Sequence, residues 1–316
     1  MIGAAVSLVV LQVLVPLALV VWIGLAPPGD AASLVATIGF GGAYLLVVSS
    51  VGNWALVPRP VLVVLVVAFW IAALLAVIDA WPAGRIWPDG LAERAATAFV
   101  ALLAVALGWL VLSLADARRA PEGPVAQIAF PLAGGRFIVG SGGHHDLLNP
   151  HRKVLEPERA HLRGQAHAID FLGLDGLGLR ARGLHPADPT AYAIFGKPVL
   201  APCAGRVVEA RDGLPDLPPP HRDAENLAGN HVLIACEGFD VLLAHLQHGS
   251  LRVQVGDAVS TGDVIGRVGN SGNTTEPHLH VHAQRGSRRR HLLDADPIPM
   301  TIHGRHLVRN DVIETD

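Results

Sequence analysis

Apolar positions run almost unbroken through the first third of the chain and then give way to short alternating runs. Four uncharged apolar stretches occupy residues 2–26, 31–57, 60–78 and 95–115. Each has about the 20 residues needed to cross a ~30 Å hydrocarbon core. None carries the polar face that a soluble helix turns to water, so the pattern predicts four transmembrane helices. The first stretch is longer than a signal-peptide apolar region and has no Lys or Arg before it, which favours an uncleaved anchor. Trp22, Trp54, Trp81 and Trp87 fall near stretch ends, where an indole suits the headgroup layer. The segment 120–124 (APEGP) breaks any helix and reads as a linker.

Beyond Phe130 the period changes. β-type runs at 136–139, 168–172, 197–201, 206–210, 231–235, 241–244, 264–268 and 278–283 are separated by Gly, Pro, Asn and Asp. This spacing predicts a mostly antiparallel all-β domain with little helix. Insertions at 173–195 and 212–229 interrupt the pattern, and the prolines of 215–220 make the second an exposed loop suited to the rim of a cleft. The layout is therefore an N-terminal all-α transmembrane region of four helices (1–117), a linker (118–130), the β domain (131–300) and a C-terminal tail (301–316).

Composition sharpens this division. All 16 histidines lie at or after His144, whereas only Arg59, Arg85 and Arg94 supply positive charge before Arg118. A net charge of -3 provides no broad basic field, which argues against nucleic acid as a partner. With four spans both termini share one side, and that side holds Arg59, Arg118 and Arg119 against Arg85 and Arg94 opposite. The count leans weakly toward a cytoplasmic C-terminus. Cys203 and Cys236 belong to no CxxC pair, leaving two buried thiols or one disulfide between neighbouring strands, the latter requiring an oxidising compartment.

The candidate chemistry lies in the β domain. Residues 269–282 read GNSGNTTEPHLHVH, and on a strand of period two His278, His280 and His282 share one face. Such convergence suits a metal with a proton-handling neighbour. Asp170, in AHAIDF, sits within an apolar strand pattern where a carboxylate needs a metal or cationic partner. His245, in LLAHL, taken alone reads as a hydrogen-bonded core residue. Asn270, Ser271 and Asn273 beside Gly269 and Gly272 fit a structural turn better than substrate contacts.

The run 266–280 (GRVGNSGNTTEPHLH), with AIDF and LLAHL before it in that order, resembles the lysostaphin-like (LytM-type) zinc metallopeptidases that cleave peptidoglycan, over roughly residues 135–296. The resemblance implies a Zn2+ cofactor, with Asp170 and His280 as ligands and His245 and His278 as catalytic residues beside the activated water. It implies a peptidoglycan peptide substrate and a catalytic domain facing the cell wall from a multi-pass anchor in cytoplasmic membrane lipid. A regulatory membrane partner of unspecified identity is compatible with it.

One position departs from the family. Its H-x-x-x-D motif requires a histidine where this chain has Ala166, and His167 stands one place later. Residues three apart on a strand do not share a face, so His167 should point away from Asp170 unless a bulge intervenes. The loop 142–152 (GGHHDLLNPHR) offers His144, His145 and His151, of which His151 is favoured, with His167 the alternative. Loss of the ligand would leave a noncatalytic wall-binding or hydrolase-regulating module. Residues 255–269 also resemble a lipoyl-type hairpin, but no lysine occupies the turn, which argues against a swinging-arm carrier.

Overall fold

The computed structural model describes residues 9–80, 84–286 and 291–315. The chain divides into two compact units, Met1–Asp116 and Ala117–Asp316.

The first unit is helical. A π-turn at Val10–Leu14 leads into α1 (Val15–Leu25), followed by α2 (Ala31–Val51), α3 (Arg59–Ala80) and α4 (Leu91–Asp116). The last three are long and apolar enough to cross a membrane. The first helix is shorter among the described residues, and the start of its expected span, residues 2–8, lies outside them. Asp30 caps α2 by accepting from Ser33 N at 2.9 Å, which satisfies one of the free N–H groups of the first turn. Phe69 fills the space above Gly41, where a Cβ would collide with its ring. Val63, Val67, Trp70 and Leu74 on α3, with Leu102, Val105 and Trp109 on α4, stay exposed, an outward apolar surface suited to lipid.

Trp54 departs from the interfacial role expected of it. It is fully buried, and its Nε1 donates at 3.1 Å to Val48 O, a carbonyl that also accepts from Gly52 N at 2.9 Å. Trp22 and Trp87 are exposed, and Trp81 lies outside the described residues.

The second unit is built on a nine-stranded sheet. In chain order the unit's strands are β1 (Ala126–Ile128), β2 (Gly135–Ser141), β3 (Ile169–Leu174), β4 (Pro198–Leu200), β5 (Gly205–Arg211), β6 (Asn230–Ala235), β7 (Asp240–Leu246), β8 (Ala258–Val259), β9 (Val264–Arg267), β10 (Leu279–Arg285), β11 (Asp296–Ile298), β12 (Met300–Ile302) and β13 (Val312–Thr315). The main sheet runs β13-β2-β3-β10-β7-β6-β5-β8, with β11 on β10. Its pairings are antiparallel. β4 and β9 form a small antiparallel pair, and β1 and β12 a parallel one.

The termini of this unit correct the expected boundaries. β1 falls inside the expected linker 118–130, while β12 and β13 carry structure into the expected tail, β13 pairing with β2 along the sheet edge. β1 and β12 pair with each other, and β13 with β2, across roughly 170 residues, so their partners and not their local pattern define them. The helical content consists of 3-10 segments at Pro150–Leu155, Pro157–Gln165 and Pro189–Ala191.

The two faces of the sheet have different tasks. Ile169 and Phe171, Val241 and Leu243, and Leu279, Val281 and Ala283 point into the main core. The intervening positions, Asp170, Ala244, His280, His282 and Gln284, occupy the opposite face. In register, His280 lies between Asp170 on β3 and Ala244 on β7. Cys203 and Cys236 are joined by a disulfide with Cα atoms 6.0 Å apart, which selects the bridge from the two readings left open by sequence.

Candidate metal centre

Three elements bring the polar side chains together. β3 supplies Asp170 and β10 supplies His280, opposite each other in the antiparallel register. The 3-10 segment Pro150–Leu155 supplies His151. Asn149 fixes that segment: its Oδ1 accepts from His151 N, and its Nδ2 donates to Gly143 O and Ala168 O. His151 Nε2 then stands 2.8 Å from Asp170 Oδ2, and His280 Nδ1 stands 3.0 Å from Asp170 Oδ1. The donor atoms of these three side chains all lie within 4.8 Å of one another.

His245 reaches the site through a bulge. Its neighbours Val241 and Leu243 face the core, and regular alternation would send His245 there too. The β6–β7 register shifts between Asn230 and Val232, while His245 adopts φ 64°. This left-handed conformation costs a non-glycine residue on the order of 1–3 kcal/mol and re-aims the side chain. His245 Nδ1–H donates to Ser271 O at 2.9 Å, and its main-chain groups pair with Ala228 O and Gly269 N. The turn that supplies Ser271 is tightly interlocked: a Cβ on Gly272 would strike Gly229 N, and one on Gly229 would strike Ser271 O.

His278 precedes β10. Its Nδ1–H donates to Glu276 O at 2.9 Å, while Nε2 lies 3.6 Å from Asp170 Oδ1. Glu276 is itself held by Arg180, a buried guanidinium from the 173–195 insertion, at 2.8 Å. Because Ser271 and Glu276 offer carbonyl oxygens, which only accept, the Nδ1 atoms of His245 and His278 carry protons. When these rings are neutral, each therefore has an unprotonated Nε2.

Electrostatics follow from burial against pairing. Burial opposes charge on Asp170, but the neighbouring His151 and His278 and the hydrogen bond from His151 prevail, holding its carboxyl well below the usual range. Burial also acts against a charged His151, yet the Asp170 charge and hydrogen bonds to Asp170 and Gln165 leave its pKa raised. His245 is held well below its ordinary value by burial and by His278 and His280. His280 is lowered to about 4, burial being the largest cause.

His167 is not brought into this group. It sits in the turn before β3, where its electrostatic neighbours are Arg152, His306 and His144, and burial is the main cause of its pKa of about 4. The physical reason is the turn closed by Ala166 N to Arg163 O and Ala168 N to Gln165 O, which leaves the 166–167 pair outside the strand facing His280. His144 and His145 likewise fall outside both donor groups of the site, His151–Asp170–His280 and His245–His278–His280. Asn270 and Ser271 are fully buried in hydrogen bonds, a structural role. Sequence reasoning missed Arg180, Asn149 and Gln165, which support the site from irregular segments.

His151, Asp170, His245, His278 and His280 line a cleft of about 350 Å³, whose lining also includes Lys153, Arg159 and Arg222. Two imidazole nitrogens and one carboxylate are a donor set suited to a catalytic zinc, which leaves one coordination position for a non-protein ligand. At bond lengths of about 2.0–2.2 Å, tetrahedral donors stand about 3.3 Å apart, close to the 2.8 Å and 3.0 Å that separate Asp170 from His151 and His280.

Residues 190–292 match the family model described as Peptidase family M23. The matched stretch contains His245, His278 and His280 and begins after His151 and Asp170. Endolysin 2638A of Staphylococcus phage 2638A is 37% identical over 87 residues, 27% of this chain and 16% of the endolysin. The catalytic domain of lysostaphin from Staphylococcus simulans is 24% identical, with 37% of this chain and 65% of that one covered and a TM-score of 0.24. A zinc-containing peptidase from Vibrio cholerae is 21% identical, covering 57% of this chain and 39% of that one, with a TM-score of 0.32.

Proposed function

We propose that this chain is a membrane-anchored, zinc-dependent endopeptidase that hydrolyses peptide cross-links of peptidoglycan. The observation that carries the reading is the meeting of a His151–Asp170–His280 donor set with the Nε2 atoms of His245 and His278 in one cleft. His151, Asp170 and His280 would hold a zinc ion, which would supply Lewis-acid polarisation of the scissile carbonyl and lower the pKa of water.

The chain's own residues supply the proton handling. One unprotonated Nε2, on His245 or His278, accepts the proton that water loses as its oxygen bonds to the carbonyl carbon. The resulting imidazolium stabilises negative charge on the former carbonyl oxygen and returns the proton to the amide nitrogen as the C–N bond breaks. The carbonyls of Ser271 and Glu276 hold the two rings in the required tautomer. Lys153, Arg159 and Arg222 favour a peptide carrying carboxylates.

Three apolar helices support membrane anchoring. The Cys203–Cys236 bridge supports an oxidising compartment on the wall side for the C-terminal unit, against the weak lean of the arginine count. The contrasting reading, a noncatalytic wall-binding or regulatory module, starts from Ala166; His151 beside Asp170 answers it, because it offers a third donor from another element. Elemental analysis of the purified full chain tests the site. The expected result is one zinc per chain, lost in His280→Ala. Full zinc in that variant overturns the ligand assignment, and a zinc-free wild-type chain favours the noncatalytic module.

A further inference from the structure

The third histidine of the alternating run, His282, takes no part in the chemistry above, yet it is fully buried directly behind His280. Gln284, also fully buried, is the next residue on the same face of β10. The hydrogen bonds along this row fix the location of each proton. Leu292 O only accepts, so Gln284 Nε2 donates to it at 2.7 Å, and Gln284 Oε1 is left facing His282 Nε2 at 3.1 Å. That oxygen also only accepts, so His282 Nε2 carries a proton. The other nitrogen of a neutral His282, Nδ1, then holds a lone pair, which accepts from His280 Nε2–H at 2.9 Å. A neutral His280 is thereby left with its lone pair on Nδ1, which faces Asp170 Oδ1 at 3.0 Å.

We infer that Gln284 and His282 are positioning residues, a buried relay that sets the tautomer of His280 so that Nδ1 is presented unprotonated to the metal. A lone pair opposed to a carboxylate oxygen at this distance is unfavourable without a cation between them, and favourable with one. The inference rests on the zinc-site reading above. The packing has made room for the relay: a Cβ at Gly164 would collide with Gln284 Oε1, and Gly164 N is tied to Leu293 O beside the carbonyl that anchors the row.

The test uses the full-length chain in detergent, with zinc as the probe. Gln284→Met keeps the side-chain bulk and removes both polar contacts, His282→Phe removes the acceptor for His280, and Gln284→Glu retains an acceptor for His282. Zinc affinity is expected to fall about 10–100-fold in the first two and to be largely retained in Gln284→Glu. Circular dichroism identifies any variant that fails to fold, and the Glu and Met substitutions are then compared with each other. Independently, long-range proton–nitrogen spectra of the zinc-loaded, 15N-histidine-labelled chain should show His280, assigned by its loss in His280→Ala, with its proton on Nε2, changing in Gln284→Met. A wild-type chain that binds zinc, with unchanged affinity in folded His282→Phe and Gln284→Met, overturns the relay while leaving the metal site intact. Finding the His280 proton on Nδ1 in the zinc-loaded wild type overturns it as well. Failure of the wild-type chain to bind zinc instead counts against the site itself.

Discussion

Replacing His151 by alanine separates the loop-supplied donor from the adjacent-strand alternative. In the structure His151 Nε2 lies 2.8 Å from Asp170 Oδ2, and His151 belongs with Asp170 and His280 to one donor group. His167 belongs to neither donor group. Zinc bound by four protein ligands gains about 10–16 kcal/mol, so one ligand is worth about 3 kcal/mol, or about two orders of magnitude in affinity. His151→Ala leaves Asp170 paired with His280 and should weaken zinc binding about 100-fold. His167→Ala should change it by no more than about twofold, the range for a substitution away from the site. Competition with a chromophoric chelator, at fixed pH and with each variant checked for a cooperative melt, measures both. A larger loss in His167→Ala than in His151→Ala refutes the reasoning and requires a rearranged turn at Ala166.

Three further outcomes follow from the same geometry. His245→Ala and His278→Ala should retain zinc by elemental analysis and lose about 10²–10⁴ in hydrolysis rate, whereas metal loss equal to that of His280→Ala would make the residue a ligand. His167 has its pKa lowered from 6.5 to about 4, so below pH 6.5 the unfolded chain binds the extra proton and stability falls as pH drops toward 4. With its partial exposure discounting the shift, the loss is on the order of 1–2 kcal/mol; chelator-treated wild type should lose more stability than His167→Gln over that window, and parallel curves would contradict the assignment. Protease added to intact spheroplasts should digest the C-terminal unit, and thiol labelling of Cys203 and Cys236 should require prior reduction; protection until lysis would place the unit in the cytoplasm.

Much of this molecule was legible because period and burial coincide. The eight β-type runs all coincide with strands, marked off by the Gly, Pro, Asn and Asp between them. Strand parity puts His280 and His282 on one face, while the placing of Asp170 opposite His280 comes from strand register, which period alone does not give. What escaped depends on departures from periodicity. The orientation of His245 comes from a bulge and a positive φ, which the apolar run LLAHL does not announce. Arg180 comes from the 173–195 insertion and meets Glu276 only through tertiary folding. The short β1, β12 and β13 gain their partners from residues far away in sequence, so local pattern assigns them to linker and tail.

Mass spectrometry of purified peptidoglycan sacculi incubated with the full-length chain, zinc-loaded and in detergent, tests the central claim most directly. The account predicts soluble fragments with newly exposed amino and carboxyl ends within the cross-link peptides, intact glycan strands, and no release by His280→Ala or after chelation. Undigested sacculi in the presence of a folded chain carrying one zinc, or cuts confined to glycan bonds, would contradict it.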